Sequence, residues 1–207
     1  MNTKIITAFL LIISITSILS SDKLDDSYNQ MLKAYAGLNS WQAVINQTNY
    51  FAQTKTKLVS AGNFYYQKNR AAIRYTKPSE QALLIQNGKV TVYDKASKTA
   101  VRTQLDSAVQ SLNPVEIVQT FWKKSEKQLQ PNDKGVTNLL LKPKKDDQIK
   151  EISVFLDDKT GYVTKLIYTD KQGNSVTVAF SKMKVNKPIA EAVWKLDLPK
   201  DVKVIER

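Results

Sequence analysis

The chain has no cysteine and no histidine among its 207 residues. Without cysteine it can form no disulfide and offers no thiol nucleophile or thiolate metal site. Without histidine, Ser-His-Asp and Cys-His catalysis are excluded, and with them nearly all zinc and transition-metal sites. An enzyme built from this sequence would have to work with carboxylate, lysine, tyrosine or serine alone. Arginine is scarce as well: Arg70, Arg74, Arg102 and Arg207 are the only ones, although the formal net charge is +12. The positive charge is therefore lysine, spread along the chain rather than gathered into one block. Arginine's planar fork grips bases and phosphates in a way that lysine's point charge does not. The composition thus favours a soluble, lysine-rich surface with weak attraction for anions. No Gly-rich phosphate loop is present, and no repeat, low-complexity tract or linker divides the chain.

Hydrophobic residues make up 42% of the sequence, a globular rather than disordered composition. The chain length suits one domain with a real core. Residues 1–21 read as a signal peptide: Lys4 supplies a short positive start, and Ile5 to Leu19 is mostly apolar but short for a bilayer span. Cleavage is expected after Ser20 or Ser21; an uncleaved N-terminal anchor is the competing reading. Residues 22–207 then form a single exported domain.

From Asp22 to Leu38 the period is helical. Leu24, Tyr28, Met31, Leu32, Tyr35 and Leu38 make one apolar stripe, with Asp25 and Asp26 in the first turn and Gly37 near the end. At Ser40 the period changes to two, and a strand is expected to about Phe51, returning from Leu58 to Gln67 after a Lys55-Thr56-Lys57 turn. The stretch from Gly62 to Tyr93 reads as an antiparallel meander with one aromatic-rich face. Its clearest signal is Asn87-Gly88, because both central residues of a type I′ turn need φ > 0. A further strand is expected at Thr99–Thr103. The helical candidates are Asp106–Gln110 and Pro114–Trp122, the latter with Pro at its first position and Lys123–Lys127 closing it. Strands follow at Gly135–Leu141, Ile149–Leu156, Val163–Thr169, Ser175–Lys184 and Val193–Leu196, separated by Asp- and Gly-rich turns. Strands at this spacing predict a mainly β fold with few helices, a single antiparallel sheet that curls into a barrel-like shape.

The chemistry is sparse. Asp94, Asp133, Asp146, Asp147, Asp157, Asp158 and Asp170 fall in predicted turns, where Asp bonds its own backbone, and so read as turn formers rather than catalysts. Asp157–Gly161 lacks the spaced ligands and closing Glu of a calcium loop. No cofactor or metal is expected. Phe64, Tyr65 and Tyr66 beside Lys68 and Arg70 could stack bases, but an exported chain makes strand aromatics packed inside the better reading, and no nucleic-acid partner is expected. Two readings of the aromatics stay open. They fill a core, or they line a cavity for an acyl chain, which gains roughly 0.8 kcal/mol per buried CH₂.

The ordered set of motifs resembles the periplasmic lipoprotein carriers of the LolA family over nearly all of the mature chain. It runs from the helix leading to Trp41, through Gly62-Asn63-Phe64-Tyr65-Tyr66, Ile73-Arg74-Tyr75-Thr76-Lys77-Pro78 and Asn87–Asp94. It continues with Leu139–Lys144, Leu166–Asp170 with Gly173-Asn174, Val185-Asn186-Lys187 and Leu198–Val202. The resemblance implies an unclosed half-barrel whose open side is plugged by helices. It implies a soluble, non-enzymatic periplasmic carrier, expected to be a monomer, that takes acylated lipoproteins from an inner-membrane ABC transporter to an outer-membrane receptor. On that reading Trp41, Ile45, Phe64, Tyr66, Ile73, Leu83, Ile85, Val92, Val118, Phe121 and Trp122 would line the lipid cavity. Where the family usually has Arg-Pro after the aromatic strand, an arginine that helps hold the helices shut, this chain has Lys68-Asn69, so Lys68 or Arg70 is the expected latch. The alternatives are a carrier of another lipid, such as a free fatty acyl product, and a periplasmic module that senses lipoproteins.

Overall fold

The computed structural model describes residues 23–104 and 113–206. The predicted signal peptide and the helix expected at Asp106–Gln110 lie outside these residues. Helix α1 spans residues 23–36. Its stripe faces inward as the spacing requires, with Ser27, Met31 and Tyr35 buried and Leu24, Tyr28 and Leu32 half-buried. Asn186 secures its C-terminal end. The Asn186 side-chain amide donates to the Gly37 carbonyl (2.9 Å), and its Oδ1 accepts from the Asn39 amide (2.8 Å). These two bonds use an orphan carbonyl of the last turn and lead straight into the first strand.

Eleven strands follow the predicted alternation or complete it: β1 Ser40–Phe51, β2 Thr56–Gln67, β3 Arg70–Lys77, β4 Gln81–Gln86, β5 Lys89–Asp94, β6 Thr99–Gln104, β7 Ser125–Gln130, β8 Val136–Pro143, β9 Ile149–Asp157, β10 Val163–Asp170 and β11 Ser175–Val185. Helix α2, Pro114–Trp122, lies between β6 and β7, with the Asn113 side chain accepting from the Val115 amide as its N-cap. Strand β12, Lys203–Glu206, ends the described chain. Asn87 (φ 53°) and Gly88 (φ 70°) both take the left-handed conformation that a type I′ hairpin demands. Asp157 forms its turn by accepting from the Lys159 and Thr160 amides, and these bonds, led by the Thr160 side chain, hold its carboxyl below the usual range.

All twelve strands belong to one sheet, ordered β12-β6-β5-β4-β3-β2-β1-β11-β10-β9-β8-β7. It is unclosed, since β12 and β7 are its two edges. The structure departs from the sequence-based reading in three places. Lys123–Lys127 does not extend α2; the chain enters edge strand β7 at Ser125, whose exposed Glu126, Lys127 and Gln128 carry no alternating apolar signal. Val193–Leu196 is not a strand; a 3-10 turn spans Glu191–Trp194, because this segment lies across the sheet instead of pairing within it. The sheet is antiparallel except at β12, which pairs parallel to β6.

Both faces carry apolar side chains. On one face, α1 and α2 cover β8–β10 through Met31, Tyr35, Val115, Val118 and Trp122 against Leu139, Leu141, Ile152, Val154 and Leu166. The same face continues onto β11 and β1–β3 as a second cluster of Trp41, Ala43, Ile45, Phe64, Ile73 and Phe180. On the opposite face, the C-terminal segment sets Ile189 and Trp194 over Ala72 and Leu84.

Two close approaches hold this arrangement. At a register irregularity between Ala61 and Gly62, a Cβ on Gly62 would meet the Arg74 carbonyl oxygen at 2.1 Å. The obstacle is backbone, so it cannot rotate away. Gly62→Ala should therefore lower stability by at least about 2 kcal/mol in chemical denaturation; an unchanged midpoint would show that β3 can shift freely. The second is the Val163 amide, which donates to the buried Tyr35 hydroxyl at 3.2 Å and pins α1 to β10. Tyr35→Phe leaves that donor unpaired in the interior and should cost about 1–3 kcal/mol. An equal stability for Tyr35→Phe would mean that the bond contributes nothing.

Candidate functional site

Residues paired directly across neighbouring antiparallel strands share a face. The register therefore draws two rows over the helix-bearing face. One runs Ala43–Phe64–Ile73–Leu83–Val92–Val101, the other Trp41–Tyr66–Ala71–Ile85–Val90–Thr103. Neither row contains Asp, Glu, Lys or Arg. Ile45 lies beside them on β1, so Trp41, Ile45, Phe64, Tyr66, Ile73, Leu83, Ile85 and Val92 all lie on this face. Val118 and Trp122 of α2 are buried over β8–β10, and Phe121 is half-buried against the same cluster.

Burial is graded along the rows. Trp41 is fully enclosed (0% exposed), packed edge-on to Phe64 (ring centroids 5.0 Å), tilted against Phe180 (4.8 Å) and edge-on to Tyr35 of α1 (6.1 Å). Ile73 and Ile85 are buried, Leu83 is half-buried, and Val92 is 42% exposed. The face is thus packed at β1–β2 and at Ile85, loosens at Leu83 and opens at Val92 on β5. Trp41, Ile45 and Phe64 form the floor of the site, and the accessible apolar surface begins at Leu83.

The helices close the packed end with few polar ties. Tyr28 of α1 stacks on Trp122 of α2 with ring centroids 3.7 Å apart and planes 3° from parallel. Gln30 donates to the Asp158 carbonyl oxygen (2.8 Å). The tyrosine hydroxyls report a poorly solvated face: burial pushes those of Tyr28, Tyr75 and Tyr168 upward in pKa. Tyr75 donates to Gln47 Oε1 at 2.6 Å, which satisfies both polar groups. Such a surface can solvate hydrocarbon. Among the described residues, no group of three Asp, Glu, His or Cys side chains could hold a metal ion.

The two residues expected as latch, Lys68 and Arg70, do not lie over the helix-bearing face. Arg70 reaches the C-terminal segment across the opposite face. Its Nη2 lies 2.8 Å from Glu191 Oε1, its guanidinium sits 4.3 Å above the Trp194 ring, and it donates to Gln67 Oε1 at 2.9 Å. Arg74 joins it, donating to the Val193 and Lys195 carbonyl oxygens at 2.6 Å each, and burial lowers its pKa. The physical reason is strand parity: Ala71 faces the helices, so Arg70 faces away. Lys68 is exposed in the β2–β3 turn. Sequence reasoning missed this arginine strap, because its partners lie more than a hundred residues further along the chain. It also missed the Tyr28–Trp122 stack, although Tyr28 stood on a predicted apolar stripe and Trp122 ended the second predicted helix.

With this geometry in place, comparison with known proteins gives a consistent result. The family model described as outer membrane lipoprotein carrier protein LolA matches residues 36–197. The outer-membrane lipoprotein carrier protein of Cupriavidus taiwanensis is 29% identical over 161 residues, covering 75% of each chain. That of Pseudomonas fluorescens is 26% identical over 148 residues, covering 70% of this chain and 68% of its own. Among solved structures, an uncharacterized conserved protein from Thermus thermophilus superposes with a TM-score of 0.58 at 11% identity, over 88% of this chain and 98% of that one. The Pseudomonas aeruginosa MucA/MucB complex gives 0.53 at 14% identity, with 84% of this chain covering 61% of that one. These two likenesses show the fold alone. The family match extends from the last turn of α1, through the whole apolar face, to the segment strapped by Arg70 and Arg74, and on that basis the chain belongs to the LolA family of outer membrane lipoprotein carrier proteins.

Proposed function

We propose that this protein is a periplasmic carrier that holds the acyl chains of lipoproteins against the helix-bearing face. It would receive them from an inner-membrane ABC transporter and pass them to an outer-membrane receptor, with residues 1–21 as the export signal. The observation that carries the reading is the pair of uncharged apolar rows, packed at Trp41 and open at Val92. It is supported by membership of the carrier family and by curated relatives named as outer-membrane lipoprotein carrier proteins.

The physics of such a cargo is transfer between apolar surfaces. An acyl chain of about fifteen methylenes gains on the order of 10 kcal/mol on leaving water. No covalent step is needed, and the chain can leave again when a comparable apolar surface is presented, because little is lost in the exchange. More room under the helices would come from α2. It is nine residues long and is seated by Val115, Val118 and Trp122. α1 is tied to β10 through Tyr35 and so is the fixed wall. The Tyr28–Trp122 stack then takes the place of the latch that Lys68 or Arg70 was expected to provide.

A charge placed on the open part of the face, or on α2 where it meets the sheet, tests this reading. Val92→Glu and Phe121→Glu should each weaken binding of a fluorescent fatty-acyl probe at least about tenfold, since an acyl chain would have to bury an unpaired carboxylate. Val92 is exposed, so its variant should melt with the wild type. Unchanged probe affinity in a folded Val92→Glu protein would count against acyl binding on this face.

A further inference from the structure

Strand β2 runs past its neighbour β3, whereas β1 is flanked by β11 as far as Tyr50↔Ser175. The β1–β2 ladder runs to Phe51↔Thr56, whereas β3 reaches only to Ala61↔Lys77. Thr56–Ser60 therefore has β1 on one side and no partner strand on the other among the described residues. This ribbon, open along its β2 edge, holds several of the exposed large apolar side chains: Phe51 (45% exposed), Leu58 (46%) and Val59 (57%), with Val176 (36%) opposite Asn49 on β11. Leu58 and Val59 are consecutive, so they point to opposite faces of the ribbon.

The charge along the ribbon itself has one sign. Residues 49–60 contain Lys55 and Lys57 and no acidic residue, and the neighbouring β10–β11 turn adds Lys171. Of the carboxylates beside this turn, Asp170 is occupied within it, accepting from the Asn174 amide (2.8 Å) and its side-chain NH₂ (2.7 Å), and Asp146 is taken up by the Ile149 and Gln148 amides and lies within Coulombic reach of Lys171. The two hairpins are joined, because the Ala52 amide donates to Asn174 Oδ1 at 2.9 Å. The tip is thus braced and presents apolar side chains among exposed lysines.

We propose that this tip is a membrane-contact site that inserts Phe51, Leu58 and Val59 between the headgroups of an anionic bilayer, with Lys55, Lys57 and Lys171 on the phosphates. Two features select this occupant. A protein groove would cover one face of the ribbon, whereas a bilayer surrounds both, which matches apolar side chains exposed on both. A second copy of the chain would bring the same lysines and repel. Membrane contact goes beyond the carrier reading, since it needs neither cargo nor transporter.

Flotation with lipoprotein-free vesicles tests it. The wild-type protein should float with vesicles containing phosphatidylglycerol at low salt, be released as salt rises, and stay behind with phosphatidylcholine vesicles. Each lysine at an anionic surface contributes roughly fivefold, so Lys55→Glu with Lys57→Glu should lower the partition by at least about tenfold. Leu58→Ser with Val59→Ser should also lower it several-fold. Both double variants should keep the wild-type melting temperature and bind the acyl probe normally, so that loss of membrane contact is separable from loss of cargo binding. Absence of wild-type flotation, equal binding to phosphatidylcholine, or full binding by both variants would overturn the proposal.

Discussion

Trp41 lies where three parts of the chain meet. Tyr35 from the end of α1, Phe64 from β2 and Phe180 from β11 all pack against its indole. The ring is fully buried, and its position is set by two constraints on the backbone. The Asn186 bonds fix the corner between α1 and β1, and the Trp41↔Val185 and Trp41↔Tyr66 pairings fix its register on both sides. A slip of one residue would turn Trp41, Ala43 and Ile45 to the other face and dismantle both apolar rows at once. Burial of the Trp41, Phe64 and Phe180 rings is worth several kcal/mol on area alone, with a further increment of roughly 0.5–1.5 kcal/mol for each edge-to-face pair. The packed end of the face is thus a rigid foundation from which the rows run toward their open end.

The two faces of the sheet solve different problems. The C-terminal segment closes the far face with a short apolar patch and two arginines, one paired to Glu191 and one to backbone carbonyls. Both guanidinium groups of that strap have specific partners, which suits a fixed contact. The helix-bearing face has few such ties, and its fasteners are an aromatic stack, the Tyr35 hydroxyl and one glutamine. Apolar contacts of this kind are non-directional and exchange readily for other apolar contacts, which is the property a reversible lipid site requires. The lysine-rich exterior sets charge around this exposed hydrocarbon surface.

Much of the fold was legible because its strands alternate cleanly. Ser40–Phe51 and Asn87-Gly88 carry local signals strong enough to place a strand and its turn without any tertiary information. What escaped had no local signal. Strand β7 is an exposed edge whose Ser-Glu-Lys-Gln-Leu-Gln pattern reads as loop, and β12 is a four-residue strand held by its parallel partner. Val193–Leu196 has the composition of a strand but is taken up by packing of Trp194 on the far face, where tertiary contact overrides propensity. For the site, alternation put the chosen strand residues on one face, yet it could not grade them. Phe64 and Val92 look equivalent in sequence, and only the three-dimensional neighbourhood makes one a floor and the other an open surface. Arg70 lies on the far face, beside Glu191 and Trp194, because one step of strand parity decides which face a side chain serves.

If the open apolar face holds the acyl chains of lipoproteins, the cargo should travel with the protein. Native mass spectrometry of the protein isolated from its own periplasm tests this most directly. The expected result is a population carrying the mass of an acylated lipoprotein, and its loss in Val92→Glu. A bound free fatty acid would keep acyl binding on this face and contradict the lipoprotein cargo. Protein that is always empty, and takes up no added acyl chain, would contradict the carrier role altogether.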